Sequence, residues 1–105
     1  MKYQLSVHCP SDEGVIDKII EAASAAGAGS IGNYSHCAFV IRGSSQWKSE
    51  KGARPSVGNV GQVSKVNGAK IEMRCPAEKR VAVEQAIRRV HPYEEPDIQC
   101  IKLAE

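Results

Sequence analysis

The chain has 105 residues with 14 Lys and Arg against 12 Asp and Glu, a formal charge of +2. That length supports one two-layer core and is too short for two. Five aromatics (Tyr3, Tyr34, Phe39, Trp47, Tyr93) make the expected core aliphatic, and no apolar stretch approaches the length of a membrane span.

In chain order, Tyr3, Leu5, Val7 and Cys9 alternate with Gln4, Ser6 and His8, the pattern of a strand with one buried face. Pro10-Ser11-Asp12-Glu13 then starts a helix, with Ser11 expected to accept from the first free amides and the carboxylates suiting the positive end of the helix dipole. Its buried stripe is Ile16, Ile19, Ile20 and Ala23, and Gly27 is the expected stop. Tyr34 to Ile41 reads as a second strand. Gly43 to Gly61, rich in Gly, Ser and Lys, reads as a long hairpin arm or loop, Gln62 to Val66 as its returning strand, and Asn67-Gly68 as a tight turn. Lys70 to Cys75 is the third main strand, Ala77 to Val90 a second helix closed by Pro92, and Asp97 to Leu103 the last strand.

The two halves repeat one another. Cys9-Pro10 and Cys75-Pro76 lie 66 residues apart, each closing an alternating run and opening a helix. The helical stripe recurs as Val83, Ala86, Ile87 and Val90, one residue further along, which predicts a single insertion before the second helix. The order βαββαβ predicts an α+β, ferredoxin-like fold: a four-stranded antiparallel sheet, two helices on one face, and an extended arm between the second and third strands. In that arrangement Cys9-Pro10 and His91-Pro-Tyr-Glu-Glu share one end of the sheet, and Ser35-His36-Cys37 lies at the other beside Cys75-Pro76. The uncovered face is expected to carry Gln4, Ser6, His8, Glu72, Arg74 and Gln99, and the unpaired edge strands motivate self-association.

The four cysteines, Cys9, Cys37, Cys75 and Cys100, lack C-x-x-C spacing and are expected to be buried free thiols. Gly27-Ala-Gly29-Ser-Ile-Gly32 matches the dinucleotide fingerprint, but it follows a helix and precedes a strand. Its glycines are therefore expected to cap the helix and allow a close-packed connection. His8, His91, Glu94 and Glu95 form a candidate site for zinc or another divalent ion. The competing and favoured reading makes His91 a helix-end residue, with Glu94 and Glu95 solvated. Arg42 to Lys70 holds six basic residues (Arg42, Lys48, Lys51, Arg54, Lys65, Lys70) against Glu50 alone. Such an arm is a candidate for phosphate or another small anion, with Trp47, Lys48 and Arg54 as contacts, although a solvated loop competes. Asn33, Tyr34 and His36 complete the candidate ligand set. Nucleic acid is not expected, since there is no reading helix and no aromatic platform. The amino terminus lacks the apolar core of a secretory signal, so a cytoplasmic location is expected.

Three motifs in the same order, GAGSIGNYSHCAF (Gly27 to Phe39), GARPSVGNVG (Gly52 to Gly61) and HPYEEP (His91 to Pro96), resemble the YqfO-type domain inserted in Nif-three-like proteins. The resemblance spans nearly the whole chain. It implies a CutA-like or PII-like variant of the ferredoxin-like fold and a tendency to trimerise. Larger members are described as type-two GTP cyclohydrolase homologues with a two-metal site in flanking regions, so neither that site nor hydrolase activity carries over to these residues. The leading expectation is a non-enzymatic, oligomeric binding or regulatory module. The alternatives are a divalent-metal-binding CutA-like protein and a small metal-dependent hydrolase centred on His36.

Overall fold

The computed structural model describes residues 1–104. β1 (Lys2–Pro10) leads into α1 (Glu13–Ala26), then β2 (Phe39–Lys48) and β3 (Val63–Pro76). A 3-10 turn (Ala77–Lys79), α2 (Arg80–Val90) and β4 (Ile98–Lys102) complete the chain. The sheet order is β2-β3-β1-β4, and every neighbouring pair is antiparallel. With two helices added, this is the α+β, ferredoxin-like arrangement expected from the element order.

The alternation along β1 sends Leu5, Val7 and Cys9 to the helix-covered face, where they meet Ile71, Met73 and Cys75 of β3. Ile16, Ile19 and Ala23 of α1 and Val83 and Ile87 of α2 close the core from above, while Ile20 is partly buried. Val90 lies outside this stripe, because α2 ends there and its last turn is exposed. All five aromatics sit outside the core.

Helix entry differs from expectation. Asp12, not Ser11, is the cap: its carboxylate accepts from the Val15 N–H at 3.0 Å. Ser11 instead accepts from the Arg42 guanidinium at 2.8 Å, and Arg42 also pairs with Glu13, tying β2 to the start of α1. At the other end Gly27 takes φ 124°, and the Ala28 N–H returns to the Ala23 carbonyl at 3.0 Å. The second helix has no side-chain cap and enters through the 3-10 turn, at the place where the repeat gains a residue.

The second strand begins at Phe39 rather than Tyr34. Tyr34 folds back to exchange both backbone hydrogen bonds with Ile31 (2.9 and 3.0 Å), and His36 adopts φ 58°, so this stretch is turned. β2 then runs on through Gly43 to Lys48, leaving residues 49–62 as the loop. Asn67-Gly68 is not a turn: Asn67 faces Ser44 and Gly68 faces Gly43 inside the ladder. Gly68 stands where β1, β2 and β3 converge, opposite Pro10 and so close to Ser45 that an added Cβ would lie 2.2 Å from its Oγ. Beyond this point β1 has ended, and the hairpin continues as a two-stranded ribbon, giving extents of 46 × 24 × 24 Å.

Candidate functional site

The ribbon folds over the end of the sheet that carries His91. α2 stops at His91, whose N–H still bonds to the Ile87 carbonyl at 2.9 Å. Its ring is buried, with Nε2 2.7 Å from the His8 carbonyl and Nδ1 3.0 Å from the Tyr93 N–H. A carbonyl only accepts and an amide only donates, so Nε2 carries the proton and Nδ1 is the acceptor. Burial, with a contribution from nearby Arg88, lowers the His91 pKa from its ordinary value and favours this neutral ring, against an opposing effect of the His8 carbonyl. His91 thereby holds the following segment against β1.

That posture places Tyr93 between His91 and Trp47. The His91 and Tyr93 rings are 5.2 Å apart, and the Trp47 and Tyr93 rings are 5.5 Å apart at 57°. Burial raises the Tyr93 pKa, so the phenol stays protonated. A second clasp forms where the Arg54 N–H donates to the Glu94 carboxylate at 3.0 Å. Between ribbon, loop and the 93–97 segment lies a cleft of about 470 Å³. Its floor and walls include His8, Trp47, Tyr93, Pro55 and Val57, with Glu50, Glu94, Glu95 and Asp97 around it. A concavity of about 650 Å³ along the ribbon, beside Ser44, Gln46 and Lys65, is bounded only by β2 and β3 and lacks an opposing wall.

The candidate residues therefore separate into two groups. Trp47 and Lys48 line the cleft with His8, Glu94 and Glu95, whereas Arg54 contributes its backbone N–H to the clasp. Asn33, Tyr34 and His36 lie beyond the other end of β2, a strand of 10 residues. Such a strand spans roughly 33 Å. His36 Nε2 is 2.9 Å from Glu21 of α1, and its Nδ1 is 2.9 Å from Ser35 Oγ. Of the four candidate metal residues, His8, Glu94 and Glu95 share the cleft, but His91 uses both ring nitrogens, Glu94 accepts from the Arg54 N–H, and among the described residues no three His, Cys, Asp or Glu side chains group to hold an ion.

Of the six cations of the basic arm, Lys48 alone lines the cleft, and three of the six are paired with carboxylates. Arg42 is paired with Glu13, Lys70 with Glu72 at 3.2 Å, and Lys48 with Glu50 at 3.9 Å. Tyr93, Asp97 and Glu50 are cleft residues that were not among the candidates read from the sequence. Tyr93 had a usable signal, as one of only five aromatics and part of HPYEEP. All four cysteines are free, two buried and two partly exposed. Burial pushes the Cys9 thiol up to about 11 and raises Cys75 and Cys100 as well, which favours the protonated thiol over the thiolate.

No protein-family model matches the chain. A GTP cyclohydrolase 1 type 2 homolog of Mycobacterium bovis is 45% identical over 102 residues, which cover 97% of this chain and 26% of that protein. The crystal structure of a Bacillus cereus protein related to NIF3 superposes with TM-score 0.83 and 31% identity, covering 99% of this chain and 26% of that one. The divalent cation tolerance protein CutA1 of Thermus thermophilus superposes with TM-score 0.72 over 100% of this chain and 86% of its own, at 17% identity. That last likeness concerns the fold. The chain spans about a quarter of the length of the relatives it matches in sequence. It is a homologue of one segment of the Nif-three-like proteins, with a CutA-like fold.

Proposed function

We propose that this chain is a non-enzymatic, self-associating binding module whose ligand site is the cleft between the ribbon and the 91–97 segment. The observation that carries this reading is the double clasp, Trp47 on Tyr93 and the Arg54 N–H on Glu94, which turns an otherwise open hairpin into one wall of a cavity. Self-association, as a trimer by family resemblance, is supported by the free edges of β2 and β4 and by exposed Phe39, Ile41 and Ile101 on the sheet face that no helix covers. Native mass spectrometry of freshly purified protein tests both parts. A homo-oligomer retaining a small molecule that Trp47→Ala loses is expected; a ligand-free monomer overturns the reading.

A second reading, hydrolysis at the opposite end, is favoured by one observation: Ser35, His36 and Glu21 form a hydrogen-bonded row resembling a nucleophile, its base and an orienting carboxylate. All three residues are exposed. Wild-type turnover of an activated ester by His36→Ala would dispose of it. Divalent-metal binding at His8, His91, Glu94 and Glu95 would require His91 to release its contacts with His8 and Tyr93. A metal titration in which His91→Ala leaves affinity unchanged removes that assignment.

A further inference from the structure

We infer that the cleft beside Trp47 takes an organic cation, an ammonium or guanidinium group on a short carbon chain, and not the anion suggested by the basic arm. This deepens the binding-module reading and rests on it. Four carboxylates, Glu50, Glu94, Glu95 and Asp97, line the cleft against a single ammonium, Lys48. Lys48 and Glu50 pair with one another at 3.9 Å. Among the described residues, none of Glu94, Glu95 and Asp97 has a cationic side chain as ion-pair partner: Glu94 accepts a backbone N–H, and Asp97 faces the Gln99 amide at 3.4 Å.

The aromatic wall has the matching chemistry. An indole face is the strongest cation-attracting surface among side chains, and Trp47 lines the cleft together with Tyr93, packed against it at 57°. Ala53, Pro55 and Val57 supply apolar contact for a methylene chain, and a volume of about 470 Å³ suits a small organic molecule. The carboxylates lie around the cleft without gathering into a metal-ligand group, which favours a diffuse, extended charge over a compact ion. Three of the arm's six cations are paired with carboxylates, and the cleft lining carries four carboxylates to one ammonium.

Trp47 is the only tryptophan, so its emission reports the cleft directly. The full chain is titrated with agmatine and, separately, with inorganic phosphate and with manganese chloride, following emission and calorimetric heat. Agmatine is expected to give a saturable change in emission that weakens as added salt screens the carboxylates. The Glu95→Gln, Asp97→Asn double variant should bind about tenfold more weakly, and Lys48→Met a few-fold more tightly, each tenfold being about 1.4 kcal/mol. Saturation by phosphate with agmatine silent overturns the charge assignment and leaves the cleft as a site. Saturation by manganese with agmatine silent likewise replaces the organic cation by a metal. No heat and no emission change with any probe, or emission that varies only with protein concentration because a second copy fills the cleft, removes the cleft as a small-molecule site altogether.

Discussion

His91 ends α2 through its backbone N–H and anchors the segment that shapes the cleft through its ring, and the bond that Nδ1 accepts from Tyr93 requires the neutral form. Its folded pKa lies below the ordinary 6.5, chiefly because the ring is buried. Between those two values the unfolded chain binds more protons than the folded one, so stability rises with pH across that window. The contribution is complete above the ordinary value and is lost as pH falls through the folded value. Urea unfolding midpoints should therefore drop on acidification below about pH 6.5, and drop less in His91→Gln, whose side chain does not titrate there. Equal pH dependence in the two proteins would show that the ring does not govern the effect. His91 could be placed at a helix end from its sequence position, between Arg88-Arg89 and Pro92. Its two ring partners could not, because one of them is a carbonyl 83 residues away.

Among the elements, the first helix and the connection after it depend on a few local choices. Asp12→Ala removes the side-chain cap of α1 and should cost about 1 kcal/mol. Gly29 is held more tightly. Its φ is 79°, its N–H bonds to the Arg74 carbonyl at 2.8 Å, and a Cβ there would meet Met73 Cε at 2.7 Å and the Cys37 backbone at 3.2 Å. Gly29→Ala therefore combines left-handed strain with a collision against backbone and should cost about 1–3 kcal/mol or more, exceeding the cap loss. Chemical denaturation of both variants checks the order, and an Asp12→Ala loss larger than that of Gly29→Ala contradicts this ranking. The glycine spacing was legible as a cap and a tight connection. The start of β2 was not, because the apolar residues near Tyr34 have strand composition while Ile31, Tyr34 and His36 make a turn. Asn67-Gly68 misled for a related reason: a glycine needed for space in a ladder has the same local signature as one needed for a turn.

At the scale of the molecule, the sheet has one face sealed by helices and one left open. Ser6 is buried in the middle of the open face, flanked by Glu72 and Gln99, while Phe39 and Ile101 lie toward its two margins, 66% and 55% exposed. Large apolar side chains left this exposed on an uncovered sheet face suit association between copies more than isolation in water. The Phe39→Asp, Ile101→Lys double variant should shift the chain toward monomer in light scattering while keeping its far-ultraviolet dichroism, since neither side chain enters the core. Unchanged mass would send the association surface elsewhere. Lacking a long apolar helix, the described chain has no helical membrane span that competes for these residues.

The order of strands and helices, the two-sided alternation of β1 and β3, and the buried stripes of α1 and α2 were all written in residue spacing. They follow from local periodicity, and a single antiparallel sheet is the arrangement that buries both stripes. The cleft was decided only by the tertiary structure. Arg54 and Glu94 are 40 positions apart and Trp47 and Tyr93 are further still, and they meet because a twisted ribbon outruns β1 and bends over the sheet end. Charge was decided there too: summed along the chain the arm is basic, but three of its six cations are drawn to carboxylates, leaving the enclosed side acidic.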